Sequence, residues 1–128
     1  MSGVLGDSAQ DKTRSSKPPY LNSFYSSHLV TLTSAEEHAW VGANVGWANL
    51  WVGGYQDRSA PDYSEPDGGW RWVTGEPFEY TFWGDGEPSD STLNGEHWMS
   101  VFSTGRWNDN QERWTYFPGN DGYIAEFE

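Results

Sequence analysis

The chain has 128 residues, a formal net charge of −12 and no cysteine; it is the size of one domain and long enough to bury a real core, and disulfides and thiolate metal sites are excluded. From Pro18 onward only four basic residues (Arg58, Arg71, Arg106 and Arg113) stand against seventeen acidic ones. That excludes nucleic acid and anionic lipid as partners, because binding phosphates needs clustered Lys and Arg. No apolar run reaches the ~18 residues of a membrane span, so membrane insertion is not expected. The first seven residues lack the basic and apolar regions of a secretion signal. Nine Trp, seven Tyr and six Phe offset a modest aliphatic content, each able to bury roughly 150–250 Å².

In chain order, residues 1–17 are polar, small and charged, and read as a mobile extension. Tyr20, Leu21, Phe24 and Tyr25 recur at helical spacing behind a proline, which predicts a short helix over 19–28. Residues 29–32 read as a strand. Thr33 or Ser34 then caps a helix carrying Ala35, Ala39 and Trp40, with Glu36 and Glu37 near capping-box reach and an end by Gly46. Strands follow at 50–54 and 70–73. A hairpin joins 98–102 to 105–107, and 123–127 closes the chain with clean alternation. Between the strands around Trp72 and Trp98 lies a long irregular segment, 74–96, of the kind that is usually functional in a small domain.

That segment and the following strand gather oxygen donors: Glu87, Ser89, Asp90, Asn94, Glu96, Asn108 and Asp109. Hard oxygens of mixed charge on adaptable loops suit calcium at six to eight coordination. Zinc would call for histidine or cysteine, and His28, His38 and His97 are scattered along the chain. An acidic loop that is only solvated surface remains the competing reading.

Several motifs, in order, resemble the C-type lectin-like domain family. Trp51-Val52-Gly53-Gly54 is similar to its core strand, and Trp70-Arg71-Trp72-Val73-Thr74-Gly75 to the next strand and turn. Glu87-Pro88-Ser89 stands where the family carries Glu-Pro-Asn. Trp107-Asn108-Asp109 is its Trp-Asn-Asp signature, and Tyr123-Ile124-Ala125-Glu126-Phe127 resembles its closing strand. The resemblance runs from about His28 to Glu128 and looks most like the cysteine-poor bacterial branch. It implies an α+β fold with two helices, small antiparallel sheets and a long ligand-binding loop. Residues 1–27 would then be an N-terminal extension and 28–128 the lectin-like domain.

The resemblance further implies calcium held by Glu87, Ser89, Glu96, Asn108 and Asp109, and a cis Glu87–Pro88 bond. A sugar would bind at the same ion, touching Glu87, Ser89, Glu96 and Asn108, with Trp114 and Tyr116 beside it. A second cation position would use Asp62, Glu65, Asp67 and Asp90, residues that a Pro-Asp-Gly turn also explains. The family points to an extracytoplasmic or secreted location, although no signal peptide is visible.

Departures from the pattern concentrate near the ion. Ser89 replaces an amide, His97 replaces an acid common beside Glu96, and Phe82 replaces a common Asn. Trp98, Glu112, Ala125 and Asn22 occupy the family's cysteine positions. Trp51, Trp70, Trp72, Trp83 and Trp107 read as core rather than as a sugar platform, because they alternate within strands. No nucleophile with a partner is evident, and an ion site explains Glu87 and Glu96 without glycoside hydrolysis, so no enzyme is expected. The reading is therefore a calcium-dependent carbohydrate-binding module. Its alternative is a calcium-independent protein-binding domain using the 82–96 and 111–121 loops. Oligomeric state stays open.

Overall fold

A computed structural model describes residues 27–92, 95–111 and 122–127, together with the backbone of 13–15. The elements are β1 (Thr13–Ser15), β2 (Ser27–Leu29), α1 (Ala35–Asn44), β3 (Leu50–Gln56), β4 (Trp70–Trp72), β5 (Trp98–Val101), β6 (Trp107–Asn110) and β7 (Gly122–Phe127). One sheet runs in the order β1-β7-β3-β5-β6, with β2 also paired to β7 and β4 to β3. All pairings are antiparallel except β3 with β7, where Leu50 and Trp51 lie opposite Gly122 and Tyr123 in parallel register. Helix and sheet in one chain agree with the α+β expectation.

Two sequence expectations are corrected here. His28, placed at the end of a first helix, lies in β2 opposite Glu126; the rest of that proposed helix, including Asn22, lies outside the described residues. Thr13–Ser15, read as part of a mobile extension, pairs with Tyr123–Ala125. Three residues are too few for a periodicity signal, and a strand partner over a hundred residues away leaves no local trace.

The helix forms where its cap was expected. Ser34 is extended, and its hydroxyl accepts from the Glu37 amide at 3.1 Å. Glu37 Oε1 reaches back to the Thr33 amide at 3.0 Å, so two N-terminal donors are satisfied reciprocally. Gly46, at φ +90°, ends the helix by donating to the Val41 carbonyl. Ser34→Ala should cost about 1 kcal/mol, seen as a fall of about 4 °C in melting temperature. An unchanged transition would show that Glu37 alone holds this end.

The core lies between α1, the sheet and the irregular segment. Val30, Leu32, Val41, Leu50, Val52, Met99, Val101 and Ile124 surround a set of indoles: Trp70, Trp72 and Trp107. Near-perpendicular ring crossings dominate it; Trp72 and Trp107 meet at 86°, and Trp83 and Trp107 at 80°. Such crossings set the positive edge of one ring on the negative face of another. Of the five indoles expected in the core, Trp51, Trp70, Trp72 and Trp107 are buried, whereas Trp83, in the irregular segment, is only partly buried and packs against the core. Gly53 is needed because a Cβ there would stand 2.7 Å from the Leu29 carbonyl. Trp98 packs against a second cluster that includes Ala125.

Candidate metal and ligand site

The irregular segment is pinned to β6, and that pinning assembles the site. The Trp107 amide donates to the Phe82 carbonyl and the Gly84 amide to the Trp107 carbonyl, both at 2.9 Å, with Trp83 and Trp107 forming a parallel bridge. Chain leaving Gly84 must therefore turn directly over Asn108 and Asp109. The Glu87–Pro88 bond in that turn is cis, as the resemblance implied. Asp90 follows in the left-handed region at φ +48°, a conformation aspartate tolerates better than most residues.

Two carboxylates converge on the Ser89–Ser91 stretch. Asp109, 1% exposed, accepts from the Ser89 amide at 2.9 Å through Oδ1 and from the Asp90 amide at 2.6 Å through Oδ2. Glu96 Oε1, also buried, accepts from the Ser91 amide at 2.9 Å and the Ser91 hydroxyl at 3.1 Å. The Ser89 hydroxyl lies 3.4 Å from Glu96 Oε1 and 3.5 Å from Asp109 Oδ1. Asp90 Oδ1 closes the loop by accepting the Glu96 amide at 2.9 Å. Asn108 follows Trp107 on the same strand and is half-buried.

Glu87 is the member least well served. Its Oε1 is buried and has no hydrogen-bond partner. Burial, then the Asp109 carboxylate beside it and the charge of Glu96, push its carboxyl up to about 7, against a smaller pull from Ser89. A carboxyl that holds its proton more tightly when folded opposes folding once ionised. Its contribution to stability is present below its ordinary value and lost as pH rises through about 7. An orphaned buried oxygen beside two further carboxylates fits a hard divalent cation, which would take that oxygen and offset the crowding.

The other sequence candidates disperse. Glu87, Ser89, Glu96 and Asp109 are neighbours, with the Ser89 hydroxyl between Glu96 and Asp109 and Glu87 beside Asp109, but they do not bring three carboxylate oxygens within 4.8 Å of one another; Asp62, Glu65, Asp67 and Asp90 do not gather as a set of four. The guanidinium of Arg71 claims both carboxylate oxygens of Asp62, one at 3.1 Å, and Asp67 lines a neighbouring cleft. Glu65 and Asp90 are instead joined by His97, with one ligand atom from each lying within 4.8 Å of the others. Asn94, Trp114 and Tyr116 lie outside the described residues.

Gln56 is a residue that sequence reasoning missed. Buried at the end of β3, its Nε2 donates to the Gly68 carbonyl at 2.9 Å and contacts Glu65 Oε1 at 3.2 Å. Its Oε1 is thereby fixed as an acceptor, and it meets His97 Nδ1 at 2.8 Å, which must carry the proton. A polar residue closing an otherwise apolar strand was the available signal.

The family model described as the Lectin C-type domain matches residues 22–116. Among known proteins, the chain is 35% identical over 95 residues to asialoglycoprotein receptor 1 of Rattus norvegicus, covering 70% of this chain and 30% of that one. It is 34% identical over 88 residues to C-type lectin domain family 10 member A of Homo sapiens, covering 64% and 25%. The chain thus spans less than a third of the length of these relatives. The cow C-type carbohydrate-recognition domain of CD23, solved in the presence of GlcNAc2Man3 oligosaccharide, superposes with a TM-score of 0.63 at 22% identity, covering 91% of this chain and 84% of that chain. These relatives are animal proteins, so the likeness to a bacterial branch is not supported. The chain itself has no cysteine. The family is one of non-enzymatic binding domains, in keeping with the expectation that the chain is no enzyme. The match takes in well over half of the chain, which belongs to the C-type lectin domain family.

Proposed function

We propose that the chain is a calcium-dependent carbohydrate-binding domain whose ion is held by Glu87, Ser89, Glu96, Asn108 and Asp109. The observation that carries this reading is Glu87: a buried oxygen without a partner, on a carboxyl crowded up to about 7 by Asp109 and Glu96. Bound calcium would supply open coordination positions for two neighbouring hydroxyls of a sugar ring. The protein's part is to hold the donors. Asp109 and Glu96 are fixed by backbone amides and by Ser91, and Asn108 stands next to Asp109 on the same strand.

One observation favours the calcium-independent alternative. The amides of Ser89, Asp90 and Ser91 already satisfy Asp109 and Glu96, so this loop has a closed hydrogen-bond network of its own. A hydroxyl at Ser89, in place of an amide, also removes one strong carbonyl ligand for the ion.

Melting curves with calcium and with chelator, followed by a glycan array in both conditions, separate the two. The proposal expects a calcium-dependent rise in melting temperature and chelator-sensitive glycan binding; absence of both would defeat it. Calcium affinity should also depend on pH. Below about 7, where Glu87 holds a proton, each unit of acidification should weaken binding by about tenfold, because one proton is displaced per ion. Above that value the dependence should flatten. A flat profile from pH 5 to 8, measured calorimetrically, would show that Glu87 is not a ligand.

A further inference from the structure

The three histidines are scattered along the chain, yet folding brings one of them to two carboxylates. One ligand atom each from Glu65, Asp90 and His97 lies within 4.8 Å of the others. Each of the three is oriented by a partner outside the group. Glu65 accepts from the Tyr63 hydroxyl at 2.7 Å through Oε2 and from Gln56 Nε2 at 3.2 Å through Oε1. Asp90 Oδ1 takes the Glu96 amide at 2.9 Å, which leaves Oδ2 as its second oxygen. His97 Nδ1 meets Gln56 Oε1 at 2.8 Å, closer than the 3.5 Å to Glu65 Oε2, so a simple His97–Glu65 ion pair does not account for the ring's placement. Gln56 is 5% exposed, and its Nε2 is committed to the Gly68 carbonyl at 2.9 Å. It can only accept from His97, so the proton sits on Nδ1 and Nε2 keeps a lone pair. An imidazole whose second nitrogen donates to a fixed oxygen is the usual form of a metal-bound histidine.

We infer that Glu65, Asp90 and His97 form a transition-metal site whose ion is of the zinc class. It uses none of the side chains proposed above to hold calcium. A neutral imidazole nitrogen with only two carboxylates serves calcium poorly, because calcium takes six to eight oxygens. The same donors suit zinc, which accepts imidazole nitrogen and carboxylate oxygen in a tetrahedron of four. Two carboxylates balance its charge, and three protein ligands leave the fourth position to water. Ligand atoms around a tetrahedral zinc stand roughly 3.3 Å apart. Closing from 4.8 Å or less therefore asks for a contraction of at most about 1.5 Å. Glu65, exposed on its loop, has the freedom to supply it.

The test titrates zinc chloride into the whole chain by calorimetry after chelator treatment, with and without saturating calcium. One equivalent should bind, and calcium should not displace it. His97→Gln and Asp90→Asn should each weaken zinc binding by at least about a hundredfold, since each removes a direct ligand and not merely an outer partner. Asp90→Asn keeps a side-chain oxygen for the Glu96 amide, so the loop should hold its shape; melting in chelator checks both variants. Nitrogen NMR should show zinc shifting the Nε2 resonance of His97 while those of His28 and His38 stay in place. Should one variant fail to fold, the other variant and the His97 resonance decide. Absence of zinc binding, displacement by calcium, an unmoved His97 resonance or full affinity in either folded variant would overturn the inference. Zinc binding needs neither sugar nor calcium, so failure here leaves the calcium reading standing, and failure of that reading leaves this site standing.

Discussion

Glu87→Gln should lower calcium affinity by about a hundredfold or more and leave the calcium-free melting temperature unchanged or slightly higher. The two halves of this result come from one cause. In the calcium-free chain the ionised Glu87 is the disfavoured form, pushed up to about 7 by burial and by Asp109 and Glu96. An amide of the same shape removes that cost at neutral pH, so folding should not suffer. Toward a divalent ion the same change removes one of three carboxylates, and calcium affinity is set largely by ligand charge and site rigidity. Titration calorimetry and melting in chelator read the two effects separately. Unaltered affinity would place the ion elsewhere, as at Glu65, Asp90 and His97, which among the described residues bring ligand atoms within 4.8 Å of one another. Lost affinity accompanied by a collapsed calcium-free transition would make Glu87 a structural residue instead.

What the sequence disclosed divides along the range of the interactions. The Ser34 cap, the β5–β6 hairpin around Gly105 and the buried alternation of Trp70 and Trp72 are local, and local pattern sufficed to place them. Grouping Glu87, Ser89 and Glu96 with Asp109 needed the ordered motifs of the family, since nothing local brings residue 87 to residue 109. The joining contact is backbone pairing of Phe82 and Gly84 with Trp107, which leaves no mark on side-chain identity. The four residues of the second cation position are divided in the fold for a related reason. Acidic residues close in sequence looked like one group, but Arg71 draws Asp62 away, and His97 takes the vacant place through a contact with Gln56 from β3. Charge counts cannot show which carboxylate already has a partner.

Trp107→Ala should be the most damaging single core change, costing about 3–5 kcal/mol against a total stability of order 5–15 kcal/mol. Trp107 is fully buried, and its ring meets those of Trp72, Trp83, Tyr80 and Phe78 at centroid distances of 5.3, 5.6, 5.8 and 5.9 Å. Its indole N–H has no hydrogen-bond partner, so the loss is one of packing and cavity, not of a polar contact. Trp107→Phe should therefore cost far less, under about 2 kcal/mol. Denaturant titration of the three chains checks the order, and equal losses for Ala and Phe would show that the indole edge matters in a way packing does not explain. The comparison with Glu87→Gln sharpens the functional claim. Trp107 carries β6 into Asn108 and Asp109 and receives the backbone of Phe82, so its removal should weaken calcium binding only as the folded fraction falls. Glu87→Gln should weaken binding with the fold intact. A site whose calcium affinity followed stability in both variants would belong to the scaffold, whereas separation of the two effects is what a ligand set held by a rigid core requires.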